Sequence, residues 1–324
     1  MPIRYDITHT TVYRYHEPVS FGEHRVIFRP RDSHDLRVLA TDLQVSPDAA
    51  VRMIQDPHSN SVALVQPLEP ADELRIVCSF TIEHAHTYNL ELPLAPSAEL
   101  YPFAYTVADR FDLEHYLRPH YDDEDGKLTA WARGFIRADG PTRTRDMMVE
   151  MNQHIRDHFR YASRDEEGTQ TPLQTLELGS GSCRDFALLM MEAARRLGVA
   201  TRFVSGYLYD PALDADDDEI VAAAAAPAPV PAPAADAAPA PAEAPIPTVG
   251  AGATHAWMQA YLPGAGWVPF DPTNNLLGGT QLIRVGVARD PAQAAPVSGS
   301  WFGDSDAYAG MQVTVQVRRV GLRR

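Results

Sequence analysis

The segment Gly179-Ser180-Gly181-Ser182-Cys183-Arg184-Asp185-Phe186 leads into the apolar run Ala187-Leu188-Leu189-Met190-Met191 and decides the fold that this sequence predicts. Ser182 is a favourable N-cap residue, and Asp185, three residues later, can complete a capping-box pair with it. Gly198 suits the left-handed position that follows the end of a helix. The sequence therefore predicts a helix that ends near Gly198 and carries Cys183 in its first turn.

Strand-like segments follow this helix. The first runs from Thr201 to Tyr209, and a second, His255 to Leu262, turns through Pro263-Gly264-Ala265-Gly266 into Trp267-Val268-Pro269-Phe270-Asp271. The Pro-Gly turn predicts an antiparallel hairpin. If the turn has an odd number of residues, or if the strand pair contains a β-bulge, Asp271 lies opposite Trp257 and on the same face of the sheet as His255. If the turn has an even number of residues and there is no bulge, Asp271 lies on the other face.

Cys183 stands where a thiol can act as a nucleophile. Only the thiolate attacks an amide, and a free thiol, with a pKa of about 8.5, is mostly protonated at neutral pH. The N–H groups at a helix N-terminus favour the anion, and a histidine must stabilise it further and later protonate the leaving nitrogen. Among the 12 histidines, position selects His255, because its hairpin leads to Asp271, whose carboxylate can orient the imidazole.

Three motifs carry a resemblance to a known family. The stretches Gly181-Ser182-Cys183-Arg184-Asp185-Phe186-Ala187, Thr254-His255-Ala256-Trp257 and Gly266-Trp267-Val268-Pro269-Phe270-Asp271-Pro272-Thr273 together resemble the bacterial transglutaminase-like proteins. The resemblance implies an α+β fold with a papain-like core, in which the helix bearing the nucleophile packs on an antiparallel sheet, and a β-rich N-terminal lobe. It also implies Cys183 as nucleophile, His255 as base and acid, and Asp271 as the partner that orients His255.

Other residues near these motifs have open roles. The backbone N–H of Cys183 is a plausible oxyanion donor, and Gln170 and Gln174 are both candidates for the second donor. Arg184 and Asp185 serve equally well as substrate ligands or as a capping and surface pair. For the two tryptophans of the hairpin, packing is favoured over direct contact with substrate.

The pattern along the chain predicts two domains. Residues 1–95 are rich in β-branched and aromatic residues and predict a β-rich N-terminal domain, and residues 96–324 are assigned to the catalytic core, with helices near 128–138 and 145–161. Within the core, residues 211–253 hold an acidic run and alternating Ala and Pro. This composition predicts a disordered surface insertion.

Composition limits the partners and the location. The net charge of −15 argues against nucleic acid, because such binding depends on basic clusters. No stretch reaches the roughly 18 apolar residues of a membrane span, and the N-terminus lacks a signal-peptide pattern. We expect a cytoplasmic protein without a membrane partner. We also expect no cofactor and no metal, since the acidic run from Asp214 to Glu219 lacks the Gly and terminal Glu of a calcium loop.

Two rare residue types are informative. Cys78 belongs to an alternating apolar stripe that predicts a buried core thiol (Leu74, Ile76, Cys78, Phe80, Ile82). Lys127 is the single lysine, so the chain offers almost no primary amine of its own.

The function that these residues predict is transfer of an amide acyl group through a thioester. For a cytoplasmic protein we expect hydrolysis of a peptide or isopeptide bond in a peptide or protein substrate. The same residues would serve a transferase that crosslinks protein glutamine to amines. A non-catalytic protein-binding module is the remaining alternative, and the sequence leaves the oligomeric state open.

Overall fold

The structure is a computed structural model that describes residues 2–85, 92–163, 168–213 and 248–321. Six strands come first: β1 (Ile3–Phe21), β2 (His24–Val26), β3 (Leu36–Ser46), β4 (Ala49–Gln55), β5 (Ser61–Pro67) and β6 (Ala71–His84). The middle of the chain contains short strands and α-helices: β7 (Leu100–Tyr101), α1 (Val107–Asp112), α2 (Glu114–Leu117), α3 (Lys127–Arg133), β8 (Thr142–Arg143), α4 (Thr144–His158), β9 (Arg160–Tyr161), α5 (Pro172–Leu178), β10 (Ser180–Gly181) and α6 (Cys183–Arg196).

Eight further strands complete the described chain: β11 (Thr201–Leu208), β12 (Thr254–Leu262), β13 (Gly266–Asp271), β14 (Leu276–Leu277), β15 (Leu282–Ala288), β16 (Val297–Ser298), β17 (Trp301–Phe302) and β18 (Tyr308–Val320). Short 3-10 helices cover Pro96–Ala98, Pro291–Ala294 and Ser305–Ala307. In the described ranges no helix is long and apolar enough to cross a membrane.

The N-terminal lobe consists of two antiparallel sheets. One has the order β17-β1-β6-β3, with β18 also paired to β1, and the other has the order β16-β2-β5-β4. The alternating stripe predicted on β6 points into the core between the sheets, and Cys78 within it is 3% exposed. The alternating sequence predicts this burial because successive side chains of a strand point to opposite faces of the sheet, so that every second residue faces the core.

The last strands of the chain belong to this lobe. The sequence assigns residues 96–324 to the catalytic core, but β18 pairs antiparallel with β1 from Arg4↔Val320 to Tyr15↔Tyr308. Strands β16 and β17 likewise pair with β2 and β1. The domain boundary therefore does not hold for these strands. Alternation along a strand reports which face is buried, but it does not report which neighbour the strand pairs with.

The core has helix α6 packed on a five-stranded antiparallel sheet of order β14-β13-β12-β11-β15. The apolar side of α6 shares one buried cluster with β12 and α4, including Met190, Met258 and Met151. This is the α+β, papain-like arrangement that the resemblance implies. Helix α4 packs in the same core, since Met148, Met151 and Ile155 have no exposed surface.

Both predicted helices in this region are shorter than expected. The pattern predicts helix over 128–138 and 145–161, whereas α3 covers Lys127–Arg133 and α4 covers Thr144–His158. Helix α4 ends because Phe159 is extended (φ −107°, ψ 135°) and Arg160–Tyr161 form β9. The chain leaves the helix there to pair with β10, an interaction between residues about 20 apart that local periodicity does not report.

The two lobes share a buried interface through β11 and β15. Tyr207 and Tyr209 on β11 and Ile283 and Val285 on β15 pack in the same cluster as the N-terminal lobe. Tyr207 also bonds His9 of β1, with 2.8 Å between its hydroxyl oxygen and His9 Nδ1. The lobes are therefore joined by apolar packing and by a buried polar contact.

The predicted insertion, residues 211–253, lies mostly outside the described residues, which resume at 248. At its C-terminal border the chain makes defined contacts. Thr248 N donates to Asp210 Oδ2 at 3.3 Å, and Val249 N donates to Asn274 Oδ1 at 2.9 Å. The border therefore lies against the turn that follows Asp271.

Candidate active site

Cys183 occupies the first position of helix α6 and is 7% exposed. The predicted capping box is present: Asp185 Oδ2 accepts hydrogen bonds from the backbone N and the Oγ of Ser182, both at 2.8 Å. The helix N-terminus is therefore held by its own side chains. Backbone N–H groups at the start of a helix have no acceptor within the helix and favour a negative charge on a thiol placed there.

Asp185 also anchors the segment before α5. Its Oδ1 accepts a hydrogen bond from the backbone N of Gln170 at 2.7 Å, and the residue has no exposed surface. Of the two roles that the sequence left open for Asp185, the structure shows capping, because the carboxylate is buried and both of its oxygens are occupied. A substrate has no access to it.

The hairpin of β12 and β13 has the register that brings His255 and Asp271 together. Leu262 pairs with Gly266, which leaves an odd loop of three residues, and Met258 pairs with Phe270. Continuing this ladder places Asp271 opposite Trp257 and on the His255 face. His255 Nε2 lies 2.8 Å from Asp271 Oδ2, and neither side chain is exposed.

Asp271 is held in place by two further donors. Thr273 N donates to Oδ1 and Asn274 Nδ2 donates to Oδ2, each at 2.9 Å. Burial alone would raise the pKa of this carboxyl, but His255, Asn274 and the Thr273 N–H together hold it below its usual value. Asp271 is therefore ionised at neutral pH.

The environment of His255 favours the imidazolium. Burial lowers its pKa, but Asp271 and then Cys183 outweigh this effect and raise the pKa to about 10. With Nε2 bonded to Asp271, the second nitrogen, Nδ1, is buried and has no oxygen or nitrogen partner among the described residues. Nδ1 is thus the nitrogen left to serve Cys183, the thiol whose proximity contributes to the raised pKa.

Two glycines that the sequence did not single out make room for this histidine. A Cβ at Gly250, where φ is +92°, would lie 2.8 Å from His255 Nδ1. Gly206 pairs with His255 across β11 and β12, and a Cβ there would lie 2.1 Å from the carbonyl oxygen of Ile283 and 2.7 Å from Trp257. The contacts of Gly206 come from segments distant in the sequence, whereas Gly250 meets a residue only five positions later.

The two hairpin tryptophans pack against other side chains, Trp257 buried and Trp267 partly buried. Trp257 is 1% exposed, and its ring stacks near His255 with centroids 6.0 Å apart. Trp267 lies under the guanidinium of Arg202, whose Cζ is 4.2 Å from the ring centroid. These contacts agree with the packing role that the sequence favoured.

The two glutamines proposed as oxyanion donors differ in position. Gln174 Oε1 accepts from Thr171 N at 2.9 Å in the capping box of α5, so this side chain serves its own helix. Gln170 Oε1 accepts from Thr175 Oγ1 at 3.0 Å, and the same oxygen lies 3.2 Å from where a Cβ of Gly181 would stand. Gln170 is therefore the nearer of the two to the start of α6.

Among the described residues, no group of three or more His, Cys, Asp or Glu side chains is placed to hold a metal ion.

Two family models match this chain. The model of the transglutaminase-like superfamily matches residues 129–272, which include Cys183, His255 and Asp271. A model of the bacterial transglutaminase-like N-terminal region matches residues 5–83. The two matches together cover about two thirds of the sequence and agree with the core and the N-terminal lobe of the structure.

Relatives align along nearly the full length. An uncharacterised protein of Mycobacterium leprae is 25% identical over 318 residues, covering 98% of this chain and 99% of the relative. An uncharacterised protein of Mycobacterium tuberculosis is 27% identical over 316 residues, covering 94% of this chain and 89% of the relative. The crystal structure of a proposed cysteine protease from Cytophaga hutchinsonii superposes with a TM-score of 0.67 at 17% identity, covering 100% of this chain and 92% of that one. This last similarity concerns the fold.

Proposed function

We propose, from the premise that this chain belongs to the transglutaminase-like superfamily, that it cleaves an amide through a thioester on Cys183, with His255 as base and acid and Asp271 as its orienting partner. One observation carries the proposal. The 2.8 Å contact between His255 Nε2 and Asp271 Oδ2 leaves the buried Nδ1 for the thiol at the start of α6. This is the relationship that nucleophile, base and orienting carboxylate have in a catalytic triad.

In the first half of the reaction, the thiolate sulfur of Cys183 attacks the amide carbon, and the carbonyl π electrons move to oxygen. The backbone N–H of Cys183, at the first position of α6, donates to that oxyanion. When the intermediate collapses, the C–N bond breaks and the His255 imidazolium gives its proton to the leaving nitrogen. The products are an amine or ammonia and a thioester on Cys183.

In the second half, neutral His255 takes a proton from the acceptor as the acceptor attacks the thioester. The C–S bond breaks, and the thiolate and imidazolium are restored. With water the released product is a carboxylic acid, and with an amine it is a new amide. We propose water as the acceptor and a peptide or isopeptide bond in a peptide or protein as the substrate, within the cytoplasm.

The acceptor is tested by product mass. Wild-type protein and a Cys183→Ala variant are incubated with a peptide library, with and without an added primary amine, and products are identified by mass spectrometry. Hydrolysis adds the mass of water at the cleaved bond. Products that carry the added amine, formed only by the protein with Cys183, would assign it as a transferase instead.

The single lysine provides a second test of the acceptor. Lys127 pairs with Glu177 at 2.7 Å on the surface, and it and the N-terminus are the primary amines of the chain. We expect no covalent oligomers when concentrated protein is incubated and run on a reducing denaturing gel. A ladder that requires Cys183 and disappears in Lys127→Arg would support crosslinking.

The alternative of a non-catalytic binding module is separated from an enzyme by thiol reactivity. Iodoacetamide at pH 6 should alkylate Cys183 rapidly and stoichiometrically, and His255→Ala should abolish this rate enhancement. Cys78 is the internal control, because burial, with a smaller effect of Asp42, raises its pKa to about 12. A Cys183 thiol no more reactive than free cysteine would favour the module.

A further inference from the structure

The imidazole of His255 is held between two neighbours, one at each ring nitrogen. At one end, Nε2 lies 2.8 Å from Asp271 Oδ2. At the other end Gly250 lies against the ring, because a Cβ on this glycine would stand 2.8 Å from Nδ1 and 3.6 Å from Cε1. The ring is buried, so it cannot turn unless the carboxylate or the glycine moves with it.

The side-chain amide of Asn274 links the segments that carry these two neighbours. Its Nδ2 donates to Asp271 Oδ2 at 2.9 Å and to the carbonyl oxygen of Val249 at 3.1 Å. Its Oδ1 accepts from the backbone N of Val249 at 2.9 Å. The reversed amide would turn its oxygen toward the Asp271 carboxylate, so charge fixes the orientation. One side chain therefore ties the carboxylate to the residue that precedes Gly250.

The border segment, residues 248–252, is also anchored at its two ends. Thr248 N donates to Asp210 Oδ2 at 3.3 Å, and the carbonyl oxygen of Gly252 accepts from Val315 N at 3.0 Å. Among the hydrogen bonds that the described residues make to this segment, those of Asn274 lie nearest to the glycine that touches His255. They consequently control how closely the segment approaches the ring.

An amide suits this position because it is neutral and carries both a donor and an acceptor. Asp271 is ionised, and a neutral donor stabilises its charge without competing with His255 as the counter-ion. The acceptor oxygen of the same amide pairs with the backbone N–H of the border segment. A carboxylate in its place would offer no donor, and an apolar side chain would offer neither group.

The geometry points to Asn274 as a positioning residue, whose amide holds Asp271 and the border segment together so that His255 Nδ1 stays directed at the thiol. This inference rests on the proposed acyl transfer at Cys183. Asn274 acts through its neighbours, and no covalent bond to it forms or breaks. Because a displacement of about 1 Å between reacting groups can cost about 10²-fold in rate, the positioning has a measurable effect.

The first test removes the polar atoms of Asn274 and keeps its approximate size. Asn274→Leu should slow acylation of Cys183 by p-nitrophenyl acetate, followed as the burst of nitrophenolate, by up to about 10²-fold. Alkylation by iodoacetamide, which reports the thiolate stabilised by His255, should slow in the same variant. Circular dichroism and thermal unfolding verify that the variant is folded.

The second test has a pH signature that a loss of packing would not produce. In Asn274→Asp, a protonated carboxyl can still donate to Asp271, whereas an ionised one would face a second carboxylate, which raises its pKa. The loss of acylation rate relative to wild type should therefore be smallest at pH 5 and grow as the pH rises to 8. The other ionisable groups nearby, Asp210, His255 and Cys183, are the same in both proteins, so the ratio isolates the new carboxyl.

Asn275→Gly is the matched control in the same turn. Asn275 Oδ1 accepts from Asn152 Nδ2 at 3.0 Å, away from the contacts of Asn274. Its φ is +53°, a conformation that glycine adopts freely. This variant should leave both rates unchanged.

A double-mutant cycle tests the part played by the border segment. Asn274→Leu and Gly250→Ala both disturb the contact between this segment and His255. Because they act on the same ring, their combined loss of acylation rate should be smaller than the product of the two single losses. Losses that multiply independently would show that Asn274 acts on Asp271 without the segment, and would overturn that half of the inference.

The remaining outcomes separate this inference from the proposed function. A wild type without a burst dependent on Cys183 would overturn acyl transfer, while alkylation rates would still report whether Asn274 positions His255. Unchanged rates in Asn274→Leu, or an equal loss in Asn275→Gly, would overturn the positioning role. A loss in Asn274→Asp that is the same at every pH would exclude the donor of the amide, and this profile decides alone if Asn274→Leu does not fold.

Discussion

His255 and Asp271 form a buried pair in which Nε2 and Oδ2 are 2.8 Å apart and neither side chain contacts solvent. The pair sits at one end of the hairpin formed by β12 and β13, and the turn at the other end determines its geometry. A one-residue change in that turn would move Asp271 to the opposite face of the sheet. The length of a distant turn is therefore part of what builds the site.

Replacing Asp271 with Asn should remove the charge that keeps His255 protonated. Burial, which lowers the pKa of His255, would then be less opposed, and the imidazolium near Cys183 would be lost at neutral pH. We expect turnover to fall by about 10²- to 10⁴-fold. The rate of Cys183 alkylation measured from pH 5 to 9 should move toward that of a free thiol.

Asn274→Ala is the matched control for this change. It removes one hydrogen bond to Asp271 but keeps the carboxylate, so its alkylation profile should lie between those of wild type and Asp271→Asn. An Asp271→Asn profile identical to that of wild type would contradict the assigned role of the carboxylate.

Gly250→Ala should impair the site without unfolding the protein. The new Cβ would lie 2.8 Å from His255 Nδ1 at a backbone conformation with φ +92°, so either the ring or the turn must shift. We expect loss of Cys183 reactivity with a small change in melting temperature. Gly252→Ala has a similar φ of +82° but no atom within 4 Å of its Cβ position, so it should retain reactivity. Equal reactivity in both variants would show that the contact with His255 is unimportant.

Cys78→Ala should lower the free energy of unfolding by roughly 1 to 3 kcal/mol, because it leaves a small cavity in the N-terminal core. Activity per folded molecule should be unchanged. Cys183→Ala should show the opposite pattern, with turnover lost and the fold retained, since alanine is well tolerated in a first helical turn. Urea unfolding and an activity assay on both variants measure this, and an inactive but stable Cys78→Ala would reverse the assignment of the two thiols.

His9 should make the protein less stable in acid. It is buried against Phe28 and Tyr207, and burial lowers its pKa to about 3. Between pH 6.5 and 3 the unfolded chain binds a proton that the folded chain does not. The contribution of His9 is thus fully present above about pH 6.5 and is lost as the pH falls, by up to about 1.4 kcal/mol per pH unit.

Urea unfolding of wild type and His9→Gln from pH 7 to 5 isolates this effect, because most carboxyl groups titrate below that range. His9→Gln should be less stable at pH 7, since the partner of Tyr207 changes, but its stability should fall less steeply with pH. Parallel pH dependences for the two proteins would show that His9 does not titrate as the structure indicates.

Local signals in the sequence were sufficient for the nucleophile and its helix. Ser182, Asp185 and Gly198 are capping residues that act within a few positions of themselves, and the structure has α6 beginning at Cys183 as they predict. The alternation around Cys78 is likewise local, and the burial that it predicts was confirmed. The family and the α+β fold class could also be predicted from the sequence, because the three motifs around Cys183, His255 and Asp271 resemble those of the family and occur in the same order along the chain.

Contacts between distant segments were decided only by the tertiary structure. The sequence left two registers open for Asp271, and the three-residue loop selects one of them. Tyr161 falls inside a predicted helix, yet it lies in a strand because the carbonyl oxygens of Gly179 and Gly181 accept hydrogen bonds from its two neighbours. Strand β18 returns to β1 across almost the whole chain. Capping and periodicity are properties of neighbouring residues, whereas pairing partners and the space around a side chain depend on the free energy of the complete fold, which no single segment contains.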